Sequence, residues 1–433
     1  MNNRIALAVL LGACAGLLLT GCQAKEEEIV ETSYKSLVKL VAADAADSAS
    51  FGFAVALSGD YAVIGAPGAD GEGTDRGAAY IYRRSQGGDD AWGPVKTLIP
   101  DDYADGDFFG SSVDISGDYA VVGAAGENGS GTDQGAAYVF YRDQGGTDNW
   151  GQVRKIMAGD RSDDDGFGFS VSIDGGTIIV GSDGADGAGT NRGGAYLFVK
   201  DLGGAGNWGQ AAKVVASDPE NEARFGYAVA ISGDLAIAGA PQENGAGTDR
   251  GAAYVFSRDL GGANAWGLLK RIVPGSPTDS SWFGDSVDID GLLAIVGEAW
   301  DDGGGTNRGA AYIFARDQGG ADSWGQVKKL QASDLSDDDF FGYRVSLDGA
   351  NALVGAGWAA GGGSARGQAY VFSKDQGGVD TWGEVQRLRA SDGSNSDAFG
   401  YSTAISGSYV LVGAVGEDGE GTDRGAAYLF KKI

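Results

Sequence analysis

The residues of this chain that could do chemistry are mainly carboxylates. Asp and Glu total 60 against 32 Lys and Arg, the formal net charge is −28, and histidine is absent. Without histidine, Ser-His-Asp triads, Cys-His pairs and His-ligated zinc sites are excluded. Two carboxylates could still hydrolyse a glycoside, but so acidic a chain is expected to contain chance pairs. We therefore expect a protein that is not an enzyme, and one that repels nucleic acids and anionic lipid surfaces.

The acidic residues concentrate in two kinds of short polar segment. Residues 69–77 (Ala-Asp-Gly-Glu-Gly-Thr-Asp-Arg-Gly) represent the first kind, and residues 101–107 (Asp-Asp-Tyr-Ala-Asp-Gly-Asp) the second. Such segments could bind or attract cations. However, Asp-Gly and Asn-Gly pairs also supply the backbone geometry that tight turns require. We favour turn chemistry and expect no metal cofactor, with calcium as the less favoured alternative.

Aromatic residues show that these segments belong to an internal repeat. Phe-Gly pairs recur every 58 residues (position 51, then 109) with no insertion or deletion, and Tyr and Trp recur in the same register. The pairs begin at Phe51, Phe109, Phe167, Phe225, Phe283, Phe341 and Phe399. A fixed period of this length indicates a repeat architecture rather than several unrelated domains.

Each repeat predicts four short strands. In the first copy, apolar or alternating stretches at 51–57, 61–64, 78–83 and 92–99 are separated by turn signals. The last copy contains only three such stretches, and residues 34–40 match the missing fourth. We therefore predict an all-β fold: a seven-bladed β-propeller with four antiparallel strands per blade, whose last blade is closed by the N-terminal strand.

Phe-Gly followed by an apolar strand and Gly-Ala-Pro resembles the FG-GAP repeat, the unit of the β-propeller of integrin α-chains and of many bacterial surface proteins. Gly-Ala-Pro is intact at residues 65–67 and 239–241 and drifts in the other copies. The resemblance implies an integrin-α-like propeller over residues 33–433. Integrin-type repeats often carry an Asp-rich calcium loop between the first two strands, but here residues 58–60 form a bare Ser-Gly-Asp turn. Because calcium needs six to eight oxygen ligands, the calcium sites of the family are not carried over.

Four aromatic residues break the repeat in its fifth and sixth copies. Trp282 and Phe340 directly precede Phe-Gly, whereas Trp300 and Trp358 open the segment between the second and third strands. The alternation of strand direction places all four on one face of the propeller. We interpret them as a ligand-binding surface, because exposed aromatic patches mark interaction sites. The alternative is that the rings only pack against one another between blades.

The first residues predict export and a lipid anchor. Arg4 precedes an apolar stretch at 5–19, and Leu19-Thr20-Gly21-Cys22 resembles the lipobox of bacterial lipoproteins. The resemblance implies a signal peptide at 1–21, acylation of Cys22 and a flexible tether at 22–32. Gln23 is not Asp, which under the family rule favours the outer membrane. Which side of that membrane the protein faces stays open.

We therefore expect a lipid-anchored, monomeric, non-catalytic envelope protein that binds a protein or glycan through one loop face. Its only membrane contact would be the lipid. One alternative is a structural or assembly scaffold of the envelope, and another is a carboxylate-based hydrolase.

Overall fold

The computed structural model describes residues 33–44, 46–71 and 73–433, and every helix or strand in them is a β-strand. These strands form seven four-stranded sheets with antiparallel pairing, which confirms the predicted all-β, seven-bladed propeller. No helix among these residues is long and apolar enough to cross a membrane. The predicted signal peptide, the tether and Cys22 lie outside the described residues.

The strands are numbered in chain order and fall into four classes by their position in the blade. The innermost strands are β2 (Ala54–Ser58), β6 (Ser112–Ser116), β10 (Ser170–Asp174), β14 (Val229–Ser232), β18 (Val287–Asp290), β22 (Arg344–Asp348) and β26 (Phe399–Ser406). The second strands are β3 (Tyr61–Ala66), β7 (Tyr119–Ala124), β11 (Thr177–Ser182), β15 (Leu235–Ala240), β19 (Leu293–Glu298), β23 (Asn351–Ala356) and β27 (Tyr409–Ala414). The third strands are β4 (Ala78–Arg83), β8 (Ala136–Tyr141), β12 (Gly194–Lys200), β16 (Ala252–Ser257), β20 (Ala310–Ala315), β24 (Gln368–Ser373) and β28 (Ala426–Lys432). The outermost strands are β5 (Gly93–Leu98), β9 (Gly151–Ile156), β13 (Trp208–Val214), β17 (Gly267–Ile272), β21 (Gly325–Leu330), β25 (Gly383–Leu388) and β1 (Tyr34–Leu40).

The ring closes through the N-terminal strand, as the repeat pattern predicts. The last sheet has the order β1-β28-β27-β26, and β1 pairs antiparallel with β28. At the same seam, Phe51 N donates a hydrogen bond to Arg424 O at 2.9 Å. The side chain of Arg424 also reaches across, with Nε 3.0 Å from Asp47 Oδ1. Closure therefore leaves no unpaired sheet edge at β28.

Six of the seven innermost strands begin later than the apolar pattern suggests, whereas β26 begins at Phe399. The sequence predicts a first strand from Phe51, whereas β2 begins at Ala54. The reason is a turn at Gly52, whose φ of 92° favours glycine. Gly52 N donates to Gly65 O at 3.0 Å, which fixes this turn against the second strand of the same blade.

The core lies between neighbouring blades. The phenylalanine of every Phe-Gly pair is fully buried, and in the second blade Phe109 contacts Tyr138 with ring centroids 5.5 Å apart. Trp150 joins the same cluster, which combines side chains of the first and second blades. The regularly spaced tryptophans from Trp92 to Trp382 are all buried, so they serve the packing of each blade.

Side-chain oxygens link the innermost strands around the axis. Asp114 Oδ2 accepts a hydrogen bond from Ile173 N at 2.7 Å, and Asp288 Oδ2 accepts one from Leu347 N at 2.7 Å. Ser172 makes the equivalent contact to Ile231 N in another blade. Burial raises the pKa of Asp114 to about 6 and that of Asp288 to about 7. These groups satisfy backbone N–H donors of the neighbouring innermost strand, which would otherwise lack a partner.

Candidate functional site

The acidic segments between the second and third strands form turns. Asp70 Oδ1 accepts a hydrogen bond from Asp75 N at 3.0 Å, and Asp418 accepts one from Asp423 N at 3.1 Å. Asp75 and Asp423 have φ values of 50° and 49°, a conformation that Asp tolerates better than most residues. These contacts match the turn chemistry that the Asp-Gly pattern predicts.

Each of several acidic segments that lead into the next blade forms an ion pair, called here a latch, with an arginine in the loop between the second and third strands. Asp105 Oδ1 lies 2.6 Å from Arg76 Nε and accepts a hydrogen bond from Thr74 N at 3.3 Å. The hydrogen bond from Arg76 holds the pKa of Asp105 below its usual value. The same latch joins Arg250 to Asp279, Arg308 to Asp337 and Arg424 to Asp47. The partners of these carboxylates are thus backbone N–H groups of their own turns and arginines of the latches.

The described part of the chain contains no assembled metal site. There, no group of three or more Cys, Asp or Glu residues is placed to hold a metal ion. The expectation that calcium does not bind stays a prediction.

The four aromatic residues that break the repeat form one connected cluster, called here the aromatic sector: Trp282, Trp300, Phe340 and Trp358. Ring centroids are 5.3 Å apart for Trp282 and Trp300, 4.7 Å for Trp300 and Phe340, and 5.4 Å for Phe340 and Trp358. The last two contacts are edge-to-face, a favourable arrangement for aromatic rings. The sector therefore bridges the fifth and sixth blades.

The aromatic sector is both packed and accessible. Trp300 retains 36% of its exposure and Trp358 retains 37%, whereas Trp282 and Phe340 are half-buried. The rings do pack against one another, as the structural alternative supposes, but they also present a surface. In contrast, the regular tryptophans Trp150 and Trp324 are buried to 1% exposure or less.

Backbone turns hold the sector in place without requiring aromatic side chains. Trp282 and Phe340 have φ values of 57° and 52°, and their N–H groups donate to Asp249 O and Asn307 O of the preceding blades. Gly166 occupies the same repeat position with a φ of 61°. The left-handed conformation costs a residue with a side chain about 1 kcal/mol relative to glycine. Glycine would thus fit the turn better than Trp or Phe. The presence of Trp282 and Phe340 at these positions therefore needs another explanation.

The sector continues toward the propeller axis through two tyrosines. Trp358 contacts Tyr343 and Tyr401 at ring-centroid distances of 4.6 and 6.0 Å. Both tyrosines line a cavity of about 740 Å³, called here the central funnel, where the innermost strands begin. Sequence reasoning missed these residues, although the position after each Phe-Gly also varies between copies.

Comparison with known proteins agrees with this architecture. A protein-family model described as FG-GAP repeat matches residues 34–82, 92–140, 150–198, 208–256, 266–314, 324–372 and 382–430. Each match runs from the outermost strand of one blade to the third strand of the next, so the first match contains β1. No curated protein matches the chain.

Among solved structures, the chain is similar to one in "Crystal Structure of Mitotic Checkpoint Complex". The TM-score is 0.54 at 10% sequence identity, and the likeness covers 98% of this chain and 99% of the other. At this identity the likeness shows the fold alone. The family matches span more than half of the sequence, and the chain therefore belongs to the FG-GAP repeat family.

Proposed function

We propose that this propeller is a non-catalytic, lipid-anchored binding protein of a bacterial envelope that captures a protein or glycan through its aromatic sector. The observation that carries the proposal is the unbroken series of rings from Trp282 to Trp358, with Trp300 and Trp358 more than a third exposed. Integrin-α-like use of a loop face for recognition is part of this proposal.

Physical considerations favour recognition as the role of these rings. Tryptophan is enriched among the residues that carry most binding energy, because one rigid side chain buries a large area. The sector stands on loops held by a regular scaffold, where binding residues are commonly found. The fold does not need the aromatic sector, because Gly126 and Gly184 occupy the position of Trp300 and Trp358 in other blades.

The lipid anchor rests on Cys22 and the residues before it. Two or three acyl chains anchor a protein stably, whereas one chain binds reversibly. A tether at 22–32 would leave the propeller free to face a ligand. Gln23 favours the outer membrane as the place of the anchor.

Substituting Cys22→Ser is expected to abolish acylation and release the protein from membranes. The measurement is incorporation of labelled palmitate, followed by fractionation of membranes and soluble protein. Cys14→Ser is the matched control, because Cys14 lies within the predicted signal peptide and should not affect the anchor. Unchanged labelling of the Cys22→Ser protein would contradict the anchor.

The double substitution Trp300→Ala and Trp358→Ala is expected to lower capture of the ligand from envelope fractions at least about tenfold, since a truncated aromatic hot spot costs about 2 kcal/mol or more. Capture is measured by pull-down and quantified against the wild-type chain. The control is Val379→Ala, which removes an 85% exposed apolar side chain from the opposite face of the sixth blade. Equal capture by all three proteins would instead favour the envelope scaffold.

A further inference from the structure

The central funnel has the size and lining of a ligand site. Its volume of about 740 Å³ lies within the range of about 300–1,000 Å³ usual for small-molecule pockets. Aromatic rings from several blades form part of its wall, and ring contacts at 5.1 and 5.0 Å join two pairs within it. The five rings that directly follow Phe-Gly are Phe53, Phe169, Tyr227, Tyr343 and Tyr401.

Arg344 brings a positive charge into this funnel. Its repeat position holds Ser or Ala in each of the other six copies. The guanidinium carbon lies 4.4 Å from the ring centroid of Tyr343 and 6.0 Å from that of Tyr401. Nη1 donates a hydrogen bond to Tyr343 O at 2.8 Å, and among the described residues the guanidinium forms no salt bridge. A stacked guanidinium with free donors is suited to bind a carboxylate in two-point fashion.

Asp285 adds an unsatisfied polar atom to the same funnel. The side chain is 4% exposed, and Oδ2 accepts a hydrogen bond from Ala299 N at 3.2 Å. Oδ1 is buried and has no hydrogen-bond partner among the described residues. Burial raises the pKa of Asp285 well above its usual value, although the charge of Arg344 opposes the shift. Oδ1 of Asp285 is thus a polar atom at the funnel wall that the described residues leave without a partner.

The residues that break the repeat thus lie close together in space and belong to the same copies of the repeat. Arg344 and Asp285 belong to the same two copies of the repeat as the aromatic sector. Tyr343 connects the two features, because it contacts both Trp358 and the Arg344 guanidinium. One elongated ligand could therefore occupy the sector and the funnel together.

We infer that the central funnel binds the carboxylated terminal sugar of an acidic oligosaccharide, with Arg344 holding the carboxylate and Asp285 a neighbouring hydroxyl. The following sugars lie along the aromatic sector toward Trp282, with their apolar faces against the rings. This inference rests on the proposed function and specifies the ligand class.

The hydrogen bonding of the innermost strands favours a saccharide over an extended peptide. A peptide that binds by strand addition needs a row of free backbone groups. Here Val345 N and Leu347 N donate to Ser286 Oγ at 3.0 Å and to Asp288 Oδ2 at 2.7 Å. Val229 N likewise donates to Ser170 Oγ at 3.1 Å. On β14 and β22 the strand edges toward the funnel are thus engaged, and side chains remain there as the recognition elements.

The test measures binding of the full chain to immobilised oligosaccharides of alginate, polygalacturonate and hyaluronan and to sialyllactose, each paired with its carboxyl-reduced form. The buffer contains about 0.15 M salt, which largely screens the repulsion between the net charge of −28 and an anionic ligand beyond about 8 Å but screens the contact at Arg344 less. We expect at least one acidic probe to bind about tenfold or more tightly than its reduced partner. Arg344→Ser, which introduces the residue of four other copies, should abolish this preference without lowering Tm. Asp285→Ser, which introduces the residue found at Ser111, should weaken binding of the same probe.

Arg154→Ser removes an exposed arginine on an outermost strand and serves as the control. If no acidic probe is preferred over its reduced form, or if Arg344→Ser keeps the preference, the inference is wrong. Failure of the proposed function is distinguishable, because it would appear as envelope capture that is insensitive to Trp300→Ala and Trp358→Ala.

Discussion

A chain that begins at Val41, and so lacks β1, is expected to lose its cooperative unfolding transition or to aggregate. The truncation removes the partner of β28 and leaves that strand as an exposed edge, which promotes association. It also removes Tyr34 and Leu40, which are 4% and 3% exposed. Burying two such side chains stabilises by about 3–6 kcal/mol, a large part of the about 5–15 kcal/mol typical of folded domains.

Thermal unfolding and size-exclusion chromatography measure this effect. The control begins at Ser33 and therefore keeps β1. A synthetic peptide of residues 33–44, added to the truncated chain, should restore part of the stability because it can pair with β28. A truncated chain that is monomeric and as stable as its control would refute closure by the N-terminal strand.

Substituting Gly239→Ala is expected to destabilise the propeller by about 3 kcal/mol or more. A Cβ at this glycine would lie 1.9 Å from Gly284 O of the next blade, so the blades would have to separate. Overpacking a core typically costs about 1–3 kcal/mol, and here the obstacle is backbone rather than a movable side chain. The second strand of each blade contains a glycine in this position, as Gly65 does against Gly110 O.

Denaturant unfolding compares this variant with Gly176→Ala. The control glycine lies in a turn between β10 and β11, and a Cβ at this position would be 3.6 Å from the nearest atom, the Cβ of Lys200. It should change the free energy of unfolding by less than about 1 kcal/mol. Equal effects of the two substitutions would show that close approach of the blades does not explain the glycine.

The repeat allowed the architecture to be predicted because each blade depends on local turns and on identical contacts with its neighbours. The constant spacing of Phe-Gly defined the number of blades, and the resemblance of residues 34–40 to the outermost strands defined the closure. The first residue of most innermost strands could not be predicted, although β26 does begin at its Phe-Gly pair. Phe51 is apolar and buried, as a strand residue would be, but Gly52 turns the chain before pairing with the second strand of the blade begins.

The candidate site could be predicted only in part, for a geometric reason. Trp282, Trp300, Phe340 and Trp358 stood out because they interrupt a regular pattern on one face. Their extension through Tyr343 and Tyr401 depends on how strands converge at the axis, which spacing along the chain does not reveal. Arg344 was overlooked although it also interrupts the repeat, because only the positions directly before the Phe-Gly pairs and at the start of the loops between the second and third strands were compared between copies.

The most direct test of the account compares the wild-type chain with one in which Trp282, Trp300, Phe340 and Trp358 are all replaced by Gly, the residue that the third blade has at Gly166 and Gly184. The measurement is affinity for the ligand captured from envelope fractions, with thermal unfolding recorded on the same samples. We expect a cooperative transition in both proteins and loss of binding in the reverted one. Retained affinity in a folded, reverted protein would contradict the claim that function resides where the repeat is broken.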